Sequence, residues 1–212
     1  MAPLINLQIF TFNIFQEKTY LIYNQYKESI LIDPGCSTTA EEEQLTAYIE
    51  SHGLVIKHLL NTHAHIDHII GNAFIKQKYG VPLAMHAEGL PLLAVASQEK
   101  YGFTAYQPIA PDLFLVQGDT ISITDCALDV LYVPGHAPGH LAFYSQALNI
   151  CFVGDTLFKG NIGRTDLWGG NSSLLVERIR SQLLTLPDEL IIYPGHGEPT
   201  TIGAEKSQPF FV

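Results

Sequence analysis

The amino-acid sequence predicts an α/β fold, and three observations carry that expectation. Short apolar runs, several with period-two alternation, recur along the chain. Helical patterns stand between several of them. Turns containing Gly, Pro or Asp follow the runs closely, and no polar linker divides the 212 residues. A chain of this length can bury one sizeable core, so residues 1–212 are read as one domain.

In chain order, alternation begins around Leu7 and Ile9 and runs to Phe15, resumes over 20–23 and 29–32, and stops at Asp33-Pro34-Gly35. A helix over 39–52 follows, because Thr38 with Glu41 three residues later has capping-box spacing. Residues 55–60 form a short apolar strand that runs into a histidine cluster. A second helix over 67–79 ends at Gly80, followed by a strand over 81–85 and a helix over 88–100. Residues 101–113 carry aromatics and prolines without a period and are read as a loop. Short strands return over 114–153. Residues 155–171 are glycine-rich and irregular. A last helix over 172–186 stops before Pro187, and a strand over 190–193 leads into a terminal loop.

Composition excludes several classes. With 47% hydrophobic and 15% charged residues the chain is globular rather than disordered. Its net charge of −10 argues against a nucleic-acid partner. No run of eighteen apolar residues predicts a membrane span, and the opening residues, without a basic lead, read as a strand rather than a signal peptide. Cys36, Cys126 and Cys151 form no CxxC pair and leave one over, which fits buried thiols in a reducing cytoplasm.

The chemistry concentrates at strand ends. Leu131 to His136 and Ile191 to His196 share one plan, an apolar run, then Pro-Gly, then histidine. Leu59 to His63 and Cys151 to Asp155 repeat it with other turn residues. Ligands of open α/β folds gather at such ends. Within Thr62-His63-Ala64-His65-Ile66-Asp67-His68, His63 and His65 stand two apart, so in extended chain both rings face the same way. Asp67 and His68 fall where the next helix starts and turn toward a second position. The donor count supports two ions: His63, His65 and His136 for the first, Asp67, His68 and His196 for the second, and Asp155 bridging both. A shared water would remain between them. Each piece also has a plainer reading. Asp67 alone would cap a helix, Asp155 would be a turn residue, and His52, His58 and His86 are read as surface or satisfied core side chains. Four strand ends converging on ligand types favours the metal site. His140 is read as supporting a ligand or packing, and the cysteines as inert.

With its H-x-H-x-D-H run and the later His136, Asp155 and His196, the sequence resembles the metallo-β-lactamase superfamily over nearly its whole length. The resemblance implies a four-layer αββα sandwich with metals at one edge between the sheets, and the same seven ligands. The segments Gly154 to Phe158, Gly163 to Asp166 and Pro134 to His140 resemble the small bacterial glyoxalase II-like hydrolases. These imply hydrolysis of S-D-lactoylglutathione or a related small anionic thioester by a hydroxide bridging two divalent ions. Zinc is the first expectation, with iron or manganese as alternatives, and Asp67 orients the hydroxide as well as binding metal. The family's C-terminal helical domain, which contributes basic residues for glutathione, is not expected in the 16 residues after His196. Lys159 and Arg164 are the candidates to meet an anionic substrate, against a plainer reading in which Lys159 is solvated and Arg164 pairs with Asp166. A mononuclear iron persulfide dioxygenase is the alternative function. A lactonase or β-lactamase, a nuclease and a metal-binding domain without turnover stand behind it.

Overall fold

The computed structural model describes residues 4–95, 103 and 106–208. Two six-stranded sheets face one another. The first runs in the order β1 (Ile5–Phe12), β2 (Glu17–Asn24), β3 (Glu28–Ile32), β4 (Val55–Leu60), β5 (Leu83–Met85), β6 (Leu113–Phe114). The second starts from its far edge with β14 (Thr200–Thr201), β13 (Ile191–Pro194) and β10 (Ile150–Gly154), then β9 (Leu141–Ser145), β8 (Cys126–Tyr132) and β7 (Thr120–Ile123). β11 (Leu157–Phe158) and β12 (Asn161–Ile162) form a small hairpin within the glycine-rich stretch read from sequence as irregular.

Period-two alternation builds both faces of the first sheet. Tyr20, Ile22, Ile30 and Ile32 point between the sheets and meet Phe143, Phe152, Val130 and Leu128 from the second. Leu21 and Leu31, one residue out of phase, point outward and pack with Leu45 and Ile49 of α1 (Thr39–Ser51) and Ile75 of α3 (Asn72–Tyr79). The outer face of the second sheet is covered by Leu175 of α5 (Ser172–Arg178) and by Ile179 and Leu183 of the π turn continuing it. The layers are therefore helix, sheet, sheet, helix, the expected αββα sandwich. The predicted capping box on α1 is present, with Glu41 N–H donating to Thr38 Oγ1 at 3.3 Å.

Several element boundaries differ from the sequence reading. β1 ends at Phe12, because Asn13 and Gln16 take positive φ and turn the chain into a hairpin. The helix expected over 67–79 is two pieces, α2 (Ile66–Ile69) and α3. The break is at Gly71, whose N–H donates to Pro34 O at 2.8 Å. A Cβ there would lie 2.5 Å from Cys36 Sγ and 2.6 Å from Pro34 O, so only glycine allows this approach. Asp67 is not a cap: His65 occupies that position. The helix expected over 88–100 is a 3₁₀ turn, Ala87–Gly89, and then α4 (Leu90–Val95), its remainder lying outside the described residues. The last helix passes from α-helical to π geometry at Ile179. The expected terminal loop contains β14 and α6 (Ile202–Lys206). Cys36, Cys126 and Cys151 are buried and free. Among the described residues, no helix is long and apolar enough to cross a membrane.

Phe143 is fully buried between the sheets. Phe143→Ala is expected to lower the unfolding free energy by about 3–5 kcal/mol, the cost of a large core cavity. Denaturant titration of the metal-free protein checks it, and a loss under about 1 kcal/mol would mean that the sheets do not close over this residue.

Candidate metal centre

The five segments that carry the site's side chains all leave the same edge of the sandwich. β3 and β4 are parallel neighbours, as are β10 and β13, so their carboxyl ends lie together. Asp33 follows β3, the His63 cluster follows β4, His136 follows β8, Asp155 follows β10 and His196 follows β13.

His63, His65 and His136 bring three ring nitrogens within 4.8 Å of one another, and Asp67, His68 and His196 bring three further donors to the same closeness. Asp155 stands between the two groups. Its Oδ1 is 3.4 Å from His68 Nε2, and its Oδ2 is 3.5 Å from His196 Nε2 and 3.6 Å from His136 Nε2. Asp67 Oδ2 lies 3.1 Å from His196 Nε2 and 3.7 Å from His68 Nε2. A Cβ on Gly195 would run into Asp155 Oδ1, so the Pro-Gly-His turn needs glycine to admit the carboxylate.

Hydrogen bonds behind the rings decide which nitrogen faces inward. His136 Nδ1 donates to Arg164 O at 2.8 Å, and His196 Nδ1 to Phe15 O at 3.0 Å. His68 Nδ1 donates to Asp33 Oδ2 at 3.0 Å. The Thr62 hydroxyl donates to the same carboxylate oxygen at 2.6 Å, which leaves its lone pairs to accept from His63 Nδ1 at 3.0 Å. Each of these four rings thus presents Nε2 to the site, held by the kind of outer acceptor that fixes metal-binding tautomers. Asp33 also accepts the Thr62 N–H at 2.7 Å. It lies within 4.8 Å of His63 and His68, but its oxygens are already engaged by Thr62 and His68, so it serves as a support.

The arrangement fits cations. His63 Nε2 and His136 Nε2 approach His65 Nδ1 at 3.1 and 2.8 Å. With protons on the far nitrogens of His63 and His136, at most one of these contacts can be a hydrogen bond, and the other sets lone pair against lone pair. Burial pushes His63 well below the usual imidazole range and His65 down to about 3, so protonation does not relieve the crowding. His68 Nε2 and Asp155 Oδ1 lie 3.4 Å apart, buried and without hydrogen-bond geometry between them, an arrangement that a cation facing both would satisfy. The second group behaves oppositely. Burial works against a charge on His196, but its contacts with Asp155 and Asp67 outweigh it and lift the ring to about 9. Burial likewise opposes a charge on His68, and the carboxylates of Asp67 and Asp155 raise it well above its ordinary value.

The structure places the remaining candidates as follows. His140 is fully buried, stacks on His63 with centroids 4.6 Å apart, and its Nε2 accepts the Asp155 N–H at 3.1 Å. Arg164 lines the cleft above the site and is paired through Nε and Nη2 with Asp166, both at 2.7 Å. Lys159 pairs with Glu198 at 2.7 Å and is not among the side chains lining the cleft. His58 reaches Ser122 O, and His52 stacks on Tyr48, both away from the centre. Sequence reasoning missed Asp33, taken only as a turn. The signal was available, since Leu31-Ile32-Asp33-Pro34-Gly35 follows the same pattern of apolar run, polar residue and turn. It also missed Glu17, fully buried with Oε1 3.9 Å from His68 Nδ1 and its carboxyl pushed up by burial. No sequence pattern marks that position.

Two predictions follow from the outer hydrogen bonds and the charges. Asp33→Asn keeps the shape but offers an amide where Thr62 and His68 donate. Metal affinity is expected to fall about 10–100-fold, as for other losses of an orienting carboxylate, measured by competition with a chromogenic chelator; unchanged affinity would rule out the orienting role. At pH 7 the metal-free site carries protons on groups whose values lie above neutrality, His196 among them at about 9. Binding must displace them, so apparent affinity should rise with pH until His196 is deprotonated, with protons released near neutrality. Calorimetry in buffers of different ionisation enthalpy reads the proton count, and a count of zero would contradict the charge assignment.

Comparison with known proteins identifies the family. The metallo-beta-lactamase superfamily model matches residues 13–196. Hydroxyacylglutathione hydrolase GloC of Haemophilus influenzae is 37% identical over 211 residues, 97% of this chain and 98% of that protein. Among solved structures, the BLEG-1 B3 metallo-beta-lactamase superposes with a TM-score of 0.89 at 31% identity, covering 98% of this chain and 100% of that one. TTHA1623 in a di-iron-bound form superposes with a TM-score of 0.84 at 35% identity, covering 96% and 99%. The chain belongs to the metallo-beta-lactamase superfamily.

Proposed function

We propose that the chain is a thioester hydrolase dependent on two divalent ions, with S-D-lactoylglutathione as the first substrate to test. The observation that carries the reading is Asp155 on the floor of a cleft, whose carboxylate reaches both donor groups: Oδ2 lies 3.6 Å from His136 and 3.5 Å from His196, and Oδ1 3.4 Å from His68. In this reading His63, His65 and His136 hold one ion, Asp67, His68 and His196 the other, and Asp155 both. When bound, the ions would lower the pKa of a water and polarise the substrate carbonyl. Zinc is the first expectation, and the similarity to a protein solved with two irons keeps iron open.

The chain's own residues then have distinct tasks. Asp67, 3.1 Å from His196, accepts a hydrogen bond from the attacking water and aims it. His140 fixes Asp155 through its main-chain N–H and packs against His63, tying the two donor groups together. A thiolate leaves readily, so no acid beside the sulfur is required. Arg164, on the cleft lining, is paired with Asp166 and would have to exchange that partner to meet a carboxylate of the substrate. The 37% identity to a hydroxyacylglutathione hydrolase supports the thioester.

Asp155→Ala is expected to lose bound metal and thioester hydrolysis together. Several kcal/mol of Lewis-acid stabilisation corresponds to a fall of about 10³-fold in kcat/KM. Elemental analysis with an assay on lactoylglutathione checks this, and a variant retaining both would remove Asp155 from the bridge. A single-iron dioxygenase would use one donor group alone, and oxygen uptake with a persulfide on the same preparation would reveal it.

A further inference from the structure

The cleft above the donor groups has a volume of about 530 Å³ and a largely apolar wall. Phe15, Leu92, Phe158, Ile162, Leu167 and Trp168 form that wall, while the polar groups lie on its floor or, like Arg164, carry a partner already. Trp168 is the chain's single tryptophan and is 54% exposed; Phe15 is 40% exposed. Trp168 leaves much of a large aromatic side chain in water at the cleft, the usual mark of a ligand surface, and Phe15, whose ring also packs on Phe103 at 5.9 Å, borders it.

The Trp168 loop is tied down on both sides. Arg164 O accepts from His136 Nδ1, Gly170 N–H donates to Leu167 O at 2.9 Å, and Asn171 N–H donates to Gly135 O at 2.7 Å. Phe15 is held in a similar way, its carbonyl accepting from His196 Nδ1 at 3.0 Å. Both aromatics are thus anchored through the backbone to candidate metal ligands, at a fixed distance from the reacting centre.

The charges do not match a tripeptide carrier. Among the described residues lining the cleft, Arg164 is the only lysine or arginine, and Asp166 already holds its guanidinium. The protein's net charge of −10 disfavours a carrier with two carboxylates. We infer that the preferred substrates are thioesters bearing an apolar, aromatic-sized group next to the reacting carbonyl or sulfur, seated on Trp168 and Phe15, and that Trp168 sets this preference. The inference rests on the thioester reading for the reaction but not for binding.

Because Trp168 is the only tryptophan, its emission reports occupancy directly, with or without metal. Titrating the protein with N-acetyl-S-benzylcysteamine should shift the emission saturably and give a Kd about tenfold or more below those of N-acetyl-S-methylcysteamine and S-methylglutathione, the range for added apolar contact. Equal or tighter binding of S-methylglutathione, or no change in emission, would overturn the inference. In turnover, the phenylacetyl thioester of N-acetylcysteamine tests the acyl side and S-benzyl thioacetate the thiol side. A preference of about tenfold in kcat/KM over S-methyl thioacetate in either arm supports the inference; none in both overturns it. Trp168→Ala should reduce that ratio below about threefold, and Trp168→Phe should keep most of it. Apolar binding without turnover would sink the hydrolase reading alone, and turnover without apolar preference would sink this one alone.

Discussion

The site depends on a crowding of unprotonated nitrogens that the fold enforces. His63, His65 and His136 meet at 3.1 and 2.8 Å in a buried corner, where burial keeps protons off the rings. Left alone, such a cluster would push itself apart. It persists because the outer nitrogens are held by acceptors on rigid elements: Thr62 beyond β4, Arg164 O in the loop after β12, and Asp33 beyond β3 for the neighbouring His68. A divalent cation turns the crowding from a liability into a ligand set.

The sandwich provides that rigidity. Both faces of the first sheet and both faces of the second are packed, so the strand ends carrying the donors cannot drift independently. Asp33 joins β3 to β4 through the Thr62 N–H and hydroxyl, and Gly195 lets the β13 turn close over Asp155. Precision at the centre is therefore a property of the whole core rather than of the loops alone. The second donor group is tuned differently. His196 and His68 are held toward the charged form by Asp67 and Asp155, so one half of the site is neutral and the other is an ion-pair cluster that exchanges protons for metal.

Much of this was legible in the sequence because it is written in short patterns. The apolar runs over 20–23 and 29–32 read as strands of a half-buried sheet, though not that Leu21 and Leu31 on the other face are buried as well, and the repeated strand-end plan brought His63, His136, Asp155 and His196 into view. What stayed hidden depends on contacts between distant segments. The break at Gly71 follows from its approach to Pro34 and Cys36. The role of Asp33 follows from hydrogen bonds to residues 29 and 35 positions away. Glu17 shows no local signal, because its burial beneath Gly35 is set entirely by tertiary packing. The aromatic wall was invisible for the same reason: Phe15 and Trp168 are separated by most of the chain and meet only at the cleft.

The central claim is that this edge of the sandwich holds two ions, with Asp155 facing both. The most direct measurement is the number of metal ions per chain after loading the apoprotein and removing excess metal, counted by elemental analysis against protein concentration. The account predicts two. Saturation at one ion, with the Asp67, His68 and His196 group unchanged by spectroscopic or crystallographic criteria, would contradict it.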